Sequence, residues 1–238
     1  MLRKLLEPAP VRPRSIDPRE ITYVRSYLMM RLAVGALGIG LPIFLLLFDG
    51  VLLGGHPFLR TSLSAYYYSG AREIFVGTLS AMGVFLITYK AAEINLDNTL
   101  SWVAGATVIV VALFPTDRSD TVVGLTLLQD QLGESSVGNV HISAAVVFFA
   151  SLAGMSFLFG LREGERAPGD HLSPKSWRTF HWICTGVIAL ALVWCLATRN
   201  LDFGSSRSLL YGEVVAVAAF GVSWFGKGLE LFALRPSS

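Results

Sequence analysis

Charged side chains are scarce in this sequence. Asp, Glu, Lys and Arg make up 15% of its 238 residues, and hydrophobic residues make up 53%, whereas soluble domains usually contain about 25% charged residues. Because ionised side chains are costly in lipid, the deficit predicts a chain that lies mostly within a membrane. The net charge of +2 and the lack of a basic stripe with interleaved aromatic residues argue against a nucleic-acid partner.

Cysteines and catalytic motifs are also few. Cys184 and Cys195 fall in one apolar run, so on one helix they would lie roughly 16 Å apart, too far for a disulfide. The sequence contains no P-loop, no Gly-x-Ser-x-Gly, no dinucleotide fingerprint and no His-x-x-x-His pair. We therefore expect no cofactor and no metal, and we assign no catalytic residue from motifs.

Long apolar segments dominate the rest of the chain. A membrane-spanning helix needs about 20 mainly apolar residues, and these segments are apolar on all faces, unlike the alternating strands of a membrane barrel. The predicted fold is all-α, a polytopic membrane protein with a six-helix transmembrane bundle. The predicted spans are 28–48, 71–91, 99–115, 138–160, 178–198 and 208–232.

Basic residues predict the orientation of these spans. Fourteen of the nineteen Lys and Arg residues fall in the N-terminal segment, the second and fourth connections, the adjoining span ends and the C-terminus. By the positive-inside rule both termini are cytosolic. The predicted organisation is a basic, proline-rich cytosolic segment at 1–27, a transmembrane domain at 28–232 and a short cytosolic tail at 233–238. A bacterial cytoplasmic (inner) membrane is the expected location.

Several polar residues gather at the outer ends of the predicted spans. Polar groups inside membrane segments are functional hypotheses by default, and together these suggest an outward-facing pocket with Arg72 as its counter-charge. Alternatively, Arg72 forms an ion pair with Glu213 or Asp117, and that pair only stabilises the packing of the helices. A serine nucleophile would require His141 beside Ser62, Ser64 or Ser143. The candidate ligand-binding residues are Ser64, Tyr67, Arg72, Glu73, Asp117, His141, Ser143 and Glu213.

Three segments carry a resemblance to known families. They are the run from Ser64 to Gly77, Ala-Leu-Phe-Pro-Thr at 112–116 and Val-His-Ile-Ser-Ala-Ala at 140–145. Together they resemble a family of uncharacterised bacterial six-helix membrane proteins, over about residues 28–232. The six-helix layout and the external histidine are more distantly similar to the DRAM/Sfk and GPI-lipid-remodelling membrane families. That distant resemblance implies a role connected with membrane lipids.

Three functions are compatible with these features. The leading hypothesis is an integral membrane protein whose outward-facing pocket binds a lipid headgroup or other amphiphile, with chemical modification of that ligand as an extension. The second is a proton-coupled carrier or channel in which Glu213 and His141 titrate. The third is a structural or regulatory subunit whose polar cluster only locks the helices. Membrane lipids are the expected partners.

Overall fold

Helices form almost all of the described structure. Within the described ranges 87% of the residues are helical and none is in a strand, which confirms the all-α prediction. The predicted cytosolic segment before Pro18 and the predicted tail at 233–238 lie outside these ranges. The computed structural model describes residues 18–52, 59–88, 95–118, 124–162, 174–201 and 204–229.

The described residues form seven α-helices, together with one π-helical and one 3₁₀ stretch. In chain order they are α1 (Pro18–Leu46, continued by the π-helical Leu47–Leu52), the 3₁₀ helix Ser64–Tyr68, α2 (Arg72–Thr88), α3 (Leu96–Leu113), α4 (Leu127–Leu132), α5 (Glu134–Arg162), α6 (Pro174–Asn200) and α7 (Ser208–Gly228).

Among the described residues, five helices are long and apolar enough to cross a membrane: α1, α3, α5, α6 and α7. This confirms the prediction of a multi-pass membrane protein. The remaining long helix, α2, has 17 residues, and its predicted span extends to residue 91, beyond the described part. At about 1.5 Å per residue its described length is roughly 26 Å.

Four helices, α1, α3, α5 and α6, begin earlier than the hydropathy pattern predicts. α1 starts at Pro18, ten residues before the predicted span, because proline is tolerated in a first helical turn and no further proline occurs until Pro42. α5 starts at Glu134 rather than at residue 138. The chain turns from α4 into α5 at Gly133, whose φ of 86° is in the left-handed region that glycine adopts without strain.

The six long helices form a closed ring in the order α1, α2, α3, α5, α6, α7, with the last packed against the first. Successive long helices run in opposite directions, so their first and last turns gather at two ends of the bundle. We call the end formed by residues 59–71, 114–118, 124–133, 201 and 204–207 the Ser64 end, and the opposite end the Asp97 end. At the latter, Arg162 of α5 forms an ion pair with the buried Asp97 of α3.

Glycines allow close helix contacts in this ring. A Cβ placed on Gly221 of α7 would lie 2.7 Å from the backbone nitrogen of Ile39 in α1, and one on Gly105 of α3 would lie 2.6 Å from the Gly83 carbonyl oxygen in α2. Small residues of this kind let helix backbones approach closely in lipid. Backbone atoms therefore set the α1–α7 and α2–α3 distances.

Gly221→Ala should destabilise the bundle, because its methyl group would collide with the α1 backbone. Overpacking of this kind usually costs about 1–3 kcal/mol, and we expect a clearly lowered Tm in detergent. Gly77→Ala is the matched control, since no atom lies within 4 Å of a Cβ built there. Equal Tm values for the two variants would contradict the proposed α1–α7 contact.

Candidate functional site

The segment at 61–71 covers the Ser64 end and is tied to α7. The backbone N–H of Leu210 donates to the Thr61 carbonyl at 3.1 Å. The Leu63 N–H donates to a carboxylate oxygen of Glu213 at 2.5 Å. Tyr66 and Tyr67 of the 3₁₀ helix are buried in the core below this segment. Ser64, at the start of that helix, is thereby held at a defined position over the bundle.

A second set of hydrogen bonds connects this segment to the α3–α5 connection. The Tyr68 hydroxyl donates to the Thr116 carbonyl and accepts from the Gln129 side chain, each at 2.6 Å. Gln129 is 1% exposed and also forms a capping box with Thr126 at the start of α4. Burial raises the pKa of Tyr68 above its usual value, so this hydroxyl keeps its proton and remains a donor at physiological pH.

His141 lies beneath the segment at 61–71 and contacts both the 3₁₀ helix and the end of α3. Its Nδ1 is 2.6 Å from the Phe114 carbonyl oxygen, and its Nε2 is 2.8 Å from the Ser64 hydroxyl oxygen. Because a carbonyl only accepts hydrogen bonds, Nδ1 carries a proton. In the neutral imidazole, Nε2 then presents its lone pair to Ser64, whose hydroxyl donates to it.

Ser64 and His141 line a cleft that is partly open at its mouth. The cleft is polar at the Ser64 end and apolar further along, where it runs between α5 and α6. Phe149 lies eight residues beyond His141 on α5, about 12 Å further from that end. The polar lining is Ser62, Ser64, Thr116, His141, Arg199 and Glu213, and the remaining lining is Ile142, Ala145, Val146, Phe149, Leu192, Cys195, Leu196 and Leu209.

Arg199 is the cation in this lining. Its guanidinium lies 3.5 Å from a carboxylate oxygen of Asp117. The other Asp117 oxygen is buried and has no hydrogen-bond partner among the described residues. It lies directly against Gly138 of α5, where a Cβ would overlap it. The arginine and aspartate thus flank the polar end of the cleft, one turn of α5 outward from His141.

The structure brings together three of the residues selected from the sequence, namely Ser64, His141 and Glu213. Asp117 lies beside them through Arg199. The other four lie elsewhere. Arg72 donates to the Tyr67 hydroxyl at 2.6 Å, with its guanidinium carbon 4.3 Å from the centre of that ring, and both Glu73 and Ser143 are exposed.

Arg199 is the main lining residue that the sequence did not single out as a site residue. One available signal was its spacing on α6, because Leu192, Leu196 and Arg199 recur at intervals that share one helix face. That face lines the cleft. Thr116 and Cys195 also line the cleft, and neither is charged, so the search for charged groups near the span ends did not select them.

Comparison of the chain with family profiles, curated proteins and solved structures found no match. The resemblance drawn from residues 64–77, 112–116 and 140–145 therefore stays an expectation. Within the described ranges, no three His, Cys, Asp or Glu side chains are placed to share a metal ion. The chemistry of the cleft consequently has to be argued from its hydroxyl, imidazole, guanidinium and carboxylate groups.

Glu213→Ala should lower the stability of the protein, because it leaves the Leu63 amide in a largely buried place without its acceptor. An unsatisfied buried donor costs about 1–3 kcal/mol. Glu213→Gln should be much milder, since the amide oxygen still accepts the same hydrogen bond. Thermal unfolding in detergent measures both. If the two substitutions lowered Tm equally, the negative charge rather than the Leu63 hydrogen bond would be what matters.

Proposed function

We propose that this integral membrane protein binds a membrane amphiphile in the cleft between α5 and α6. The polar head group lies against Ser64, His141 and Arg199, and the hydrocarbon chain follows the apolar groove. The observation that carries this proposal is the cleft itself, which is polar at one end and apolar along α5 and α6. Amphiphiles have the same division, with a head group that forms hydrogen bonds and a chain that does not.

Burial along α7 favours binding over proton transport. Between Glu213 and Ser223, the buried residues of α7 are Ala216, Val217, Phe220 and Gly221. None of these residues has an ionisable or hydrogen-bonding side chain. A proton-coupled carrier would need ionisable groups along the bundle, and this helix supplies none between its two ends.

We also propose that all six long helices cross the membrane, with the Ser64 end outside and both termini in the cytosol. α2 packs between α1 and α3 and runs antiparallel to α3, and its 17 residues reach the lower limit for a spanning helix. The excess of Lys and Arg in the connections of the Asp97 end supports this orientation. A bacterial cytoplasmic membrane is the proposed location, on the strength of the resemblance described above.

Cysteine labelling tests this orientation. In a Cys184→Ala/Cys195→Ala background, Gly124→Cys places a thiol in the exposed α3–α5 connection and Lys175→Cys places one at the exposed start of α6. A membrane-impermeant maleimide should label the Gly124 variant in intact cells and the Lys175 variant only after permeabilisation. The reverse pattern would invert the topology, and labelling of both in intact cells would refute the crossing by α5.

Amphiphile binding is tested by native mass spectrometry of protein extracted from membranes. The wild type should retain a bound amphiphile. Arg199→Gln should reduce retention roughly tenfold or more, because a hydrogen bond to a charged group contributes about 1.5–3 kcal/mol. Arg72→Gln is the matched control, since Arg72 contacts Tyr67 and is absent from the cleft lining.

A substitution in the apolar part of the cleft tests binding of the hydrocarbon chain separately from binding of the head group. Ala145→Phe fills the groove without changing any charge, and it should also reduce retention while Tm stays close to that of the wild type. Loss in the Arg72 variant but not in the Arg199 variant would place the head group at α2 instead. A wild type that retains only bulk lipid would refute the proposed binding.

A further inference from the structure

We infer that Ser64 and His141 form a nucleophile–base pair that cleaves an ester bond of an amphiphile held in the α5–α6 cleft. This inference rests on the proposed amphiphile binding and adds a reaction to it. A serine nucleophile in this protein requires that His141 lie beside a serine, and this was the condition stated from the sequence. The structure meets that condition, with Nε2 2.8 Å from the Ser64 oxygen, within the reach required of a general base.

Both members of the pair are held in position by neighbouring elements. The Phe114 carbonyl at the end of α3 keeps the proton of His141 on Nδ1, which leaves Nε2 free to accept the serine proton. This is the orienting task that a carboxylate performs in serine hydrolase triads. On the other side, the Ser62 hydroxyl accepts the Ala65 N–H at 2.9 Å and Glu213 accepts the Leu63 N–H, so the backbone flanking Ser64 is held on both sides.

A second serine–histidine pair in the same protein differs from the first in its access to the cleft. At the Asp97 end, Nδ1 of His181 lies 2.9 Å from the Ser223 hydroxyl oxygen, nearly the same distance. Both of those residues are 0% exposed and neither lines the cleft. Ser64, in contrast, is 9% exposed and faces the cleft together with His141 and Arg199. Of the two pairs, the Ser64 pair is the one that borders the cleft.

The proposed reaction uses water as its only co-substrate. The Ser64 oxygen attacks the ester carbonyl carbon while its proton passes to Nε2 of His141. The Arg199 guanidinium is the cation in the lining that balances the negative charge on the carbonyl oxygen. The carbon–oxygen bond to the alcohol then breaks, and the alcohol leaves with the proton from Nε2. Water then attacks the acyl carbon while Nε2 of His141 takes its proton. The bond from that carbon to the Ser64 oxygen breaks, the acyl group leaves as a carboxylic acid, and Nε2 returns the proton to Ser64.

A serine-reactive fluorophosphonate with an alkyl chain tests this inference on the full-length protein in detergent. Peptide mass spectrometry should find the label on Ser64 of the wild type. Ser64→Ala should abolish labelling, and His141→Gln should slow it by at least about 100-fold, the usual contribution of a general base. Ser223→Ala is the matched control and should label like the wild type. Tm values for all variants separate loss of reactivity from loss of folding.

Ester turnover provides a second readout that also defines the substrate class. The wild type should hydrolyse p-nitrophenyl octanoate, and Ala145→Phe should impair this reaction much more than hydrolysis of p-nitrophenyl acetate, whose acyl group does not reach the groove. A wild type that retains an amphiphile but shows neither labelling nor turnover would overturn the nucleophile–base pair and leave binding intact. Labelling of Ser64 without amphiphile retention would keep the pair and refute a lipid substrate.

Discussion

The hydrogen bond from the Leu63 amide to the Glu213 carboxylate holds the Ser64 end of this protein together. It joins the segment at 61–71, which carries Ser64, to α7, one of the walls of the cleft. The amide belongs to a buried residue, and a buried donor left without its acceptor costs about 1–3 kcal/mol. The position of Ser64 relative to His141, and hence the shape of the polar end of the cleft, depends on this bond.

Two serine–histidine hydrogen bonds of nearly equal length lie at opposite ends of one bundle. Their chemistry differs because their surroundings differ. His181 and Ser223 are buried among aromatic side chains, and the ring centres of Phe159 and Phe180 lie within 6 Å of the centre of the imidazole. Their hydrogen bond joins α6 to α7, and both residues are 0% exposed, so a ligand cannot reach it. His141 and Ser64 border a cleft that continues as an apolar groove. Access to a ligand, rather than the hydrogen bond itself, is what supports a functional role.

Much of the fold could be predicted from hydropathy, because lipid excludes charged side chains from long helical runs. The helix ends were harder to predict. α1 extends back to Pro18 and α5 to Glu134, since nothing in lipid requires a helix to stop where its apolar run stops. The candidate site was predicted in part. His141 and Glu213 were selected because they are polar residues within apolar segments, and both line the cleft. Arg199 was missed because it follows such a segment and matches no motif.

The sequence by itself determined that the chain is a helical membrane protein and how far each polar residue lies along its helix. Both follow from composition and from the fixed rise of 1.5 Å per residue. Only the tertiary structure decided which residues share a site. Arg72 and Arg199 lie at the same end of the bundle, but the packing of the ring turns the first onto Tyr67 and the second into the cleft. Rotation about each helix axis and the order of helices in the ring are set by contacts between distant segments, which hydropathy along one chain does not encode.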